Sequence, residues 1–173
     1  MRLLRYNVAC SLDGFIADPD GGYDWIVDDK SIDFDALYAQ FDTFVMGRKT
    51  WEVMQAQGDA NPLGPRSGRR VIVASRTLAG VDGVTVVRED IVGAVAALKA
   101  EPAGRDIWLF GGSELAGALF AAGLVDRVET AVMPVLLTRG IPLLPAGAQR
   151  KLSLVSAQSL ASGIQMLAYD VQR

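Results

Sequence analysis

At 173 residues, half of them hydrophobic and 21% charged, the chain is long enough to bury a full core and is expected to form a single domain, 1–173. It has no histidine and one cysteine, Cys10, which excludes histidine triads, histidine zinc sites, an internal disulfide and Cys-rich clusters; no metal site is expected. The net charge of −3 is uneven, with seven basic side chains against three acidic ones in residues 48–88. That stretch includes Arg48, Lys49, Arg66, Arg76 and Arg88 and suggests a local anion site rather than a nucleic-acid footprint, or else ordinary loop charge. No run approaches the roughly 18 apolar residues of a membrane span. The first ten residues are too short and polar for a signal peptide, and with a lone cysteine the expectation is a cytoplasmic protein with no membrane partner.

In chain order, Leu3 to Ser11 reads as a strand, with Leu4, Tyr6, Val8 and Cys10 on one face and Arg5, Asn7, Ala9 and Ser11 on the other. A long Asp- and Gly-rich loop, Asp13 to Lys30, follows. Phe34, Leu37, Tyr38 and Phe41 at i, i+3, i+4 and i+7 predict a helix with Ser31 as N-cap. Thr43 to Met46 is a strand and Arg48 to Gln55 a helix; Gly58 to Gly68 reads as a surface loop. Arg70 to Ser75 and Val84 to Val87 are strands, and Ile91, Ala94, Val95 and Leu98 mark a helix closed before Pro102. Ile107 to Phe110 lacks polar alternation and reads as a central strand. A helix with Leu115, Ala118, Leu119 and Ala122 on one side follows Gly111 and Gly112, then a strand from Arg127 to Met133. Leu152 to Leu160 and Ile164 to Val171, around Ala161-Ser162-Gly163, predict an antiparallel hairpin. The pattern is a three-layer α/β domain with a mostly parallel mixed sheet.

Ligands of open α/β sheets bind beyond the carboxyl ends of the strands. Three junctions there carry suitable residues. Gly47-Arg48-Lys49-Thr50 opens a helix whose free N–H groups favour anions, or Gly47 only makes a tight turn. Ser75-Arg76 ends a strand with a hydroxyl and a guanidinium that could clamp a phosphate monoester. Gly111-Gly112-Ser113-Glu114-Leu115 either presents bare backbone to a diphosphate or serves close packing. No G-x-G-x-x-G and no P-loop occurs, so the common nucleotide folds are not indicated.

Taken in order, these residues resemble the dihydrofolate reductase-like superfamily. Met46-Gly47-Arg48-Lys49-Thr50-Trp51-Glu52 is similar to its M-G-R-x-T-W-E, and Val73-Ala74-Ser75-Arg76 and Phe110-Gly111-Gly112-Ser113 fall where it has its serine-ended strand and its glycine pair. Ser11-Leu12-Asp13-Gly14-Phe15-Ile16-Ala17 is closer to the S-x-D-G-x-I-A of the reductase domain of bacterial riboflavin biosynthesis proteins, as are Pro134 to Leu137 and Gly140 to Leu143. The resemblance implies NADPH as cofactor. Arg48, Ser75 and Arg76 would hold the adenosine 2′-phosphate; Gly47, Lys49 and Thr50, with Gly111, Gly112, Ser113, Glu114 and Leu115, would meet the diphosphate. Ala9 and Ile16 would face the nicotinamide, and the Gly111–Gly112 peptide would be cis. Asp13 and the Asp24-Trp25 pair are substrate-side candidates, with Asp13 and Trp25 the catalytic ones. The chain departs from true dihydrofolate reductases, whose first helix carries an acid four residues before an aromatic: counting back from Phe34 gives Lys30. It departs from the riboflavin branch at Thr138-Arg139-Gly140, where that branch has G-x-G.

The expectation is an NADPH-dependent reductase of a small heterocyclic or ribosyl/carbonyl substrate; the alternatives are a true dihydrofolate reductase and a non-catalytic NADPH-binding relative. A mean hydropathy of +0.24 and the apolar hairpin Leu152 to Val171, with Leu160, Ile164, Met166 and Leu167, also predict a homodimer through that edge.

Overall fold

The computed structural model describes residues 1–64 and 67–172. Residues 65 and 66 of the expected surface loop, with Arg66 of the basic stretch, lie outside the described residues, as does Arg173. The chain runs β1 (Leu4–Ser11), β2 (Phe15–Ala17), α1 (Phe34–Tyr38), β3 (Phe41–Gly47), α2 (Arg48–Ala56), a 3-10 turn (Gly58–Ala60), β4 (Arg70–Ala74), β5 (Val84–Val87), α3 (Ile91–Ala100), β6 (Asp106–Gly111), α4 (Ser113–Ala121), β7 (Arg127–Met133), β8 (Ile141–Pro142), β9 (Leu152–Ser159) and β10 (Gln165–Val171).

Eight strands form one sheet in the order β5-β4-β3-β6-β1-β7-β10-β9. The pairs from β5 to β7 are parallel; β7–β10 and β10–β9 are antiparallel. Every described helix of the parallel part sits on a crossover, which a parallel pair requires. One core packs α3 and α4 on the sheet through Val95, Leu98, Ala116 and Leu119 against Leu4, Tyr6, Val45, Ile107 and Leu109. The other packs α2 through Trp51 and Met54 against Phe44, Met46, Val71, Val73 and Trp108, with Leu37 and Tyr38 of α1 beside them. Ile107 and Leu109 serve the first core and Trp108 the second, so β6 is central and covered on both faces, as its lack of alternation predicts.

Five local expectations are corrected. The helix read from Phe34 to Phe41 stops at Tyr38: Phe41 opens β3 and is buried there, so its place in the apolar stripe was a strand position. The cap is Asp33, whose carboxylate accepts from the Ala36 amide; Ser31 instead donates its hydroxyl and its amide to Asp29. The buried side of α4 is Ser113, Ala116 and Leu119, while Ala118 is exposed. Gly117 abuts Pro145, which fixes that rotation, since a Cβ at 117 would strike the proline ring. The loop after β1 also holds β2, which pairs with β8. In the hairpin, Ile164 is fully buried in the chain's own core and is no interface residue, whereas all eight residues of β9 are exposed. No helix among the described residues is long and apolar enough to cross a membrane.

Candidate cofactor and substrate site

Because β3 and β6 are parallel neighbours, their carboxyl ends bring two helix starts together. Met46 pairs with Gly111 in register, and α2 and α4 each begin two residues later. Gly47 and Gly112 are the N-cap positions, neither with a side-chain cap, so the first N–H groups of both helices point out of the edge without a side-chain acceptor at the cap. Gly47 has φ −80° and Gly112 φ −82°, angles that any residue adopts. A Cβ on Gly47 would meet nothing nearer than the Gly112 nitrogen at 3.8 Å, and one on Gly112 nothing nearer than Thr50 Oγ1 at 3.9 Å. The fold therefore does not require glycine at either place. What the glycines leave is a strip of bare backbone between two helix N-termini, with the Thr50 hydroxyl over it; a diphosphate fits such a cradle. Gly111 differs, with φ +116°, and the Gly111–Gly112 peptide is cis.

The same edge continues over β4 and β5. Ser75 Oγ accepts the Thr77 and Leu78 amides at 3.2 and 2.9 Å, which fixes the turn and leaves the hydroxyl hydrogen to donate. Arg76 is exposed beside it. Arg88, just past β5, donates to the Arg76 carbonyl at 3.4 Å and so stands next to it; β4–β5 pairing, invisible in the sequence, makes them neighbours. Arg48 pairs with Glu52 at 2.5 Å, both side chains about half exposed. An exposed i,i+4 pair of this kind contributes at most about 0.5 kcal/mol, so Arg48 can exchange it for a phosphate. Lys49 and Glu114 lie in the first turns of α2 and α4, and Ser113 is buried at the start of α4 with Leu115 packed on the first core.

At the β1–β7 end, Ala9 pairs with Ala131, and both are only half buried. Ile16 lies on β2, which β8 holds beside that edge. Asp13 is a clamp. It accepts from Ser11 Oγ at 2.6 Å and from the Leu137 and Thr138 amides at 3.1 and 2.7 Å, tying the turn after β1 to the segment after β7. The Ser11 hydroxyl, ahead of the two amides, holds its carboxyl below the usual range, so Asp13 is an ionised acceptor and not a proton donor at neutral pH. Trp25 is half buried and donates Nε1 to the Gly22 carbonyl at 3.3 Å; Asp24 is exposed.

Toward the amino ends of the same strands lies a network that the sequence reading did not place. Arg5 gives Nε and Nη2 to Glu129 at 3.0 and 2.6 Å, and Asn7 gives Nδ2 to Glu129 at 3.0 Å. Arg5 also bonds Gln40 and Asp106 and lies 4.5 Å over the Phe41 ring. The charged pattern of β1 and β7 could have signalled it only once the two strands were known to pair.

A mostly parallel sheet with glycine-opened helix starts along one edge defines the dihydrofolate reductase-like class. Within it, the chain belongs to the RibD C-terminal domain family, which it matches over residues 2–166. It is 30% identical to the Bacillus subtilis (strain 168) protein YyaP, over 97% of this chain and 94% of that one. A Shewanella sp. PV-4 structure named for riboflavin biosynthesis is 25% identical with a TM-score of 0.84, covering 99% of both chains. Two more distant structures share the fold. The Thermotoga maritima diaminohydroxyphosphoribosylaminopyrimidine deaminase/5-amino-6-(5-phosphoribosylamino)uracil reductase has a TM-score of 0.70 at 16% identity, and this chain spans 57% of it. Enterococcus faecalis dihydrofolate reductase, in complex with NADP(H), has a TM-score of 0.71 at 17% identity, covering 99% of this chain and 97% of that one.

Proposed function

We propose that this chain is an NADPH-dependent reductase that transfers a hydride to a small heterocyclic or carbonyl acceptor. The observation that carries the reading is the bare cradle between Gly47 and Gly112, flanked along the same edge by Arg48, Ser75, Arg76 and Arg88. The helix N-termini and Thr50 would hold the diphosphate, and the guanidinium groups with Ser75 the extra phosphate. Ala9 and Ile16 would border the nicotinamide, which supplies the hydride when bound. The chain itself contributes mainly position: Asp13 ties together the two segments that would frame the acceptor side. The proton then comes from water.

The dihydrofolate reductase alternative needs an acid on the sheet side of α1. Asp33 is used as the helix cap, Asp35 is exposed, and Asp29 is bound to Ser162. A non-catalytic relative would bind NADPH without oxidising it. Titration with NADPH and NADH, followed by absorbance at the reduced-nicotinamide band with a panel of pyrimidine and carbonyl acceptors, tests the proposal. Saturable NADPH binding with acceptor-dependent oxidation is expected; no binding refutes the reductase, and tight binding with no acceptor turnover supports the non-catalytic relative.

A further inference from the structure

We propose that the chain has a second ligand site, at the amino end of the sheet, which binds a small molecule through an oxyanion, phosphate or carboxylate. The site is a pocket of about 510 Å³ whose walls include Tyr38, Phe41, Asp42, Ser67, Arg69 and Arg105. That volume falls in the range of small-molecule sites. The pocket lies where β3, β4 and β6 begin, whereas the cofactor cradle lies where β3 and β6 end. None of its residues belongs to the cradle or to the acceptor side. The basic stretch of the sequence is divided by β4: Arg69 and Arg70 stand at its start and Arg76 follows its end, roughly 20 Å away at the rise of a strand. The phosphates of NADPH therefore leave Arg69 and Arg70 without a role.

Charge pairing singles out two arginines at this end of the parallel strands. Arg2 is paired with Asp42 and Glu101, Arg70 with Glu101, Arg5 with Glu129 and Asp106, and Arg127 with Asp170. Arg69 and Arg105 have no carboxylate partner among the described residues, and both line the same pocket. Arg69 is half-buried. Its guanidinium lies 4.7 Å over the Tyr38 ring and 5.7 Å from the Phe44 ring, and donates Nη1 to the Pro62 carbonyl at 2.7 Å. The rings and the carbonyl fix the plane of the fork, while its remaining N–H groups have no acceptor among the described residues. Arg105 is placed from both ends: its amide donates to Asp42 Oδ2 at 2.7 Å and its Nη1 to the Ala39 carbonyl at 2.9 Å. The Asp42 carboxylate is already spent, since Oδ1 takes Arg2 and the Thr43 hydroxyl and Oδ2 the Arg105 amide. Ser67 Oγ accepts the Arg69 amide at 3.3 Å and keeps its hydrogen to donate. A guanidinium held on aromatic faces is poorly solvated, and an oxyanion on its free edge and on Arg105 supplies the partner that the chain does not. The planar fork suits carboxylate and phosphate alike.

The test titrates the full chain, saturated with NADP⁺ so that the cradle is filled, with inorganic phosphate and separately with benzoate. The readout is the backbone amide NMR shifts of Asp42, Gly68, Arg69 and Arg105. At least one of the two anions should give a saturable shift at those amides, and which one does so tells a phosphate ligand from a carboxylate. Sodium chloride at equal ionic strength should give none. Arg69→Gln and Arg105→Gln should each weaken the binding about tenfold or more, the loss of one charge-assisted pair. Arg150→Gln, at an exposed arginine beside the far edge strand β9, should leave it unchanged. No saturable shift with either anion, or binding that survives both pocket substitutions, overturns the proposal. If Arg69→Gln fails to fold, Arg105→Gln decides, since that side chain is exposed. Failure of NADP⁺ to bind would sink the reductase reading instead, and the same titration on the free chain would still decide this site.

Discussion

Gly112→Ala separates the fold from the cradle, because the two have different demands at this residue. The backbone angle of −82° suits alanine, and the added Cβ would lie 3.9 Å from Thr50 Oγ1, an ordinary contact. The cost to the fold is the difference between glycine and alanine at an N-cap, about 0.5–1 kcal/mol. For a chain of this size that lowers Tm by no more than about 4 °C. The same methyl group occupies the strip on which a diphosphate would rest. Forcing a methyl group into an occupied contact costs about 1–3 kcal/mol, which raises the Kd for NADPH roughly 5- to 150-fold. Gly112→Val, larger and β-branched, should abolish binding. Fluorescence titration of NADPH beside a thermal melt reads both quantities on one sample. A folded Gly112→Ala or Gly112→Val protein that binds NADPH as wild type does would show that the cofactor sits elsewhere.

Arg76→Ala should weaken NADPH binding by about 1.5 kcal/mol, the lower end for a charge-assisted pair because Arg76 is exposed, and leave NADH unchanged; equal loss for both cofactors would remove Arg76 from the phosphate site. Asp29, held by Ser162 first and then by Ser31, titrates near 2 when folded against an ordinary 3.8. Its stabilising effect is therefore complete above the ordinary range and is lost as pH falls through about 2, so Asp29→Asn should flatten the acid limb of a Tm-against-pH curve, and an unchanged limb would refute the linkage. The homodimer expectation moves to β9, where Leu152, Leu154 and Val155 are 43%, 61% and 46% exposed on an edge strand. Sedimentation near twice 18.5 kDa is expected, with Leu154→Glu returning it to 18.5 kDa; a single 18.5 kDa species for wild type would refute it.

The strands of the large sheet were legible because each is long enough to show its pattern and is bounded by glycine, proline or charge. The pair β2–β8 was not, since three residues against two leave no alternation to read. The cradle was legible for a local reason: glycine directly before a helix start is a feature of adjacent residues. Arg88 beside Arg76, Glu129 beneath Asn7 and Asp13 on the Leu137 amide were not, since they join residues 12, 122 and 124 positions apart. A period in the sequence tells which face a side chain takes; only strand order tells which side chains on that face meet. The short α1 shows the converse, since Phe41 fitted a helical spacing while belonging to the next strand.

The acidic loop after β1 shows how such a segment can hold a shape without a core of its own. Asp18 accepts the Asp20 and Gly22 amides at 2.9 and 2.7 Å, Asp29 the Ser31 amide at 2.8 Å, Asp33 the Ala36 amide at 2.9 Å, and Asp13 the two amides across from it. Each carboxylate satisfies backbone donors that would otherwise need regular secondary structure. Because these bonds, and not apolar packing, set the loop's course, Tyr23, Ile26, Val27 and Phe34 can stay exposed. Carboxylate caps of this kind weaken one another when left unfilled, since eight like charges lie within 24 residues. Neutralising one should therefore cost its own hydrogen bonds but relieve repulsion on the rest. The loop thus tolerates a single aspartate-to-asparagine change better than a sum of separate caps would suggest.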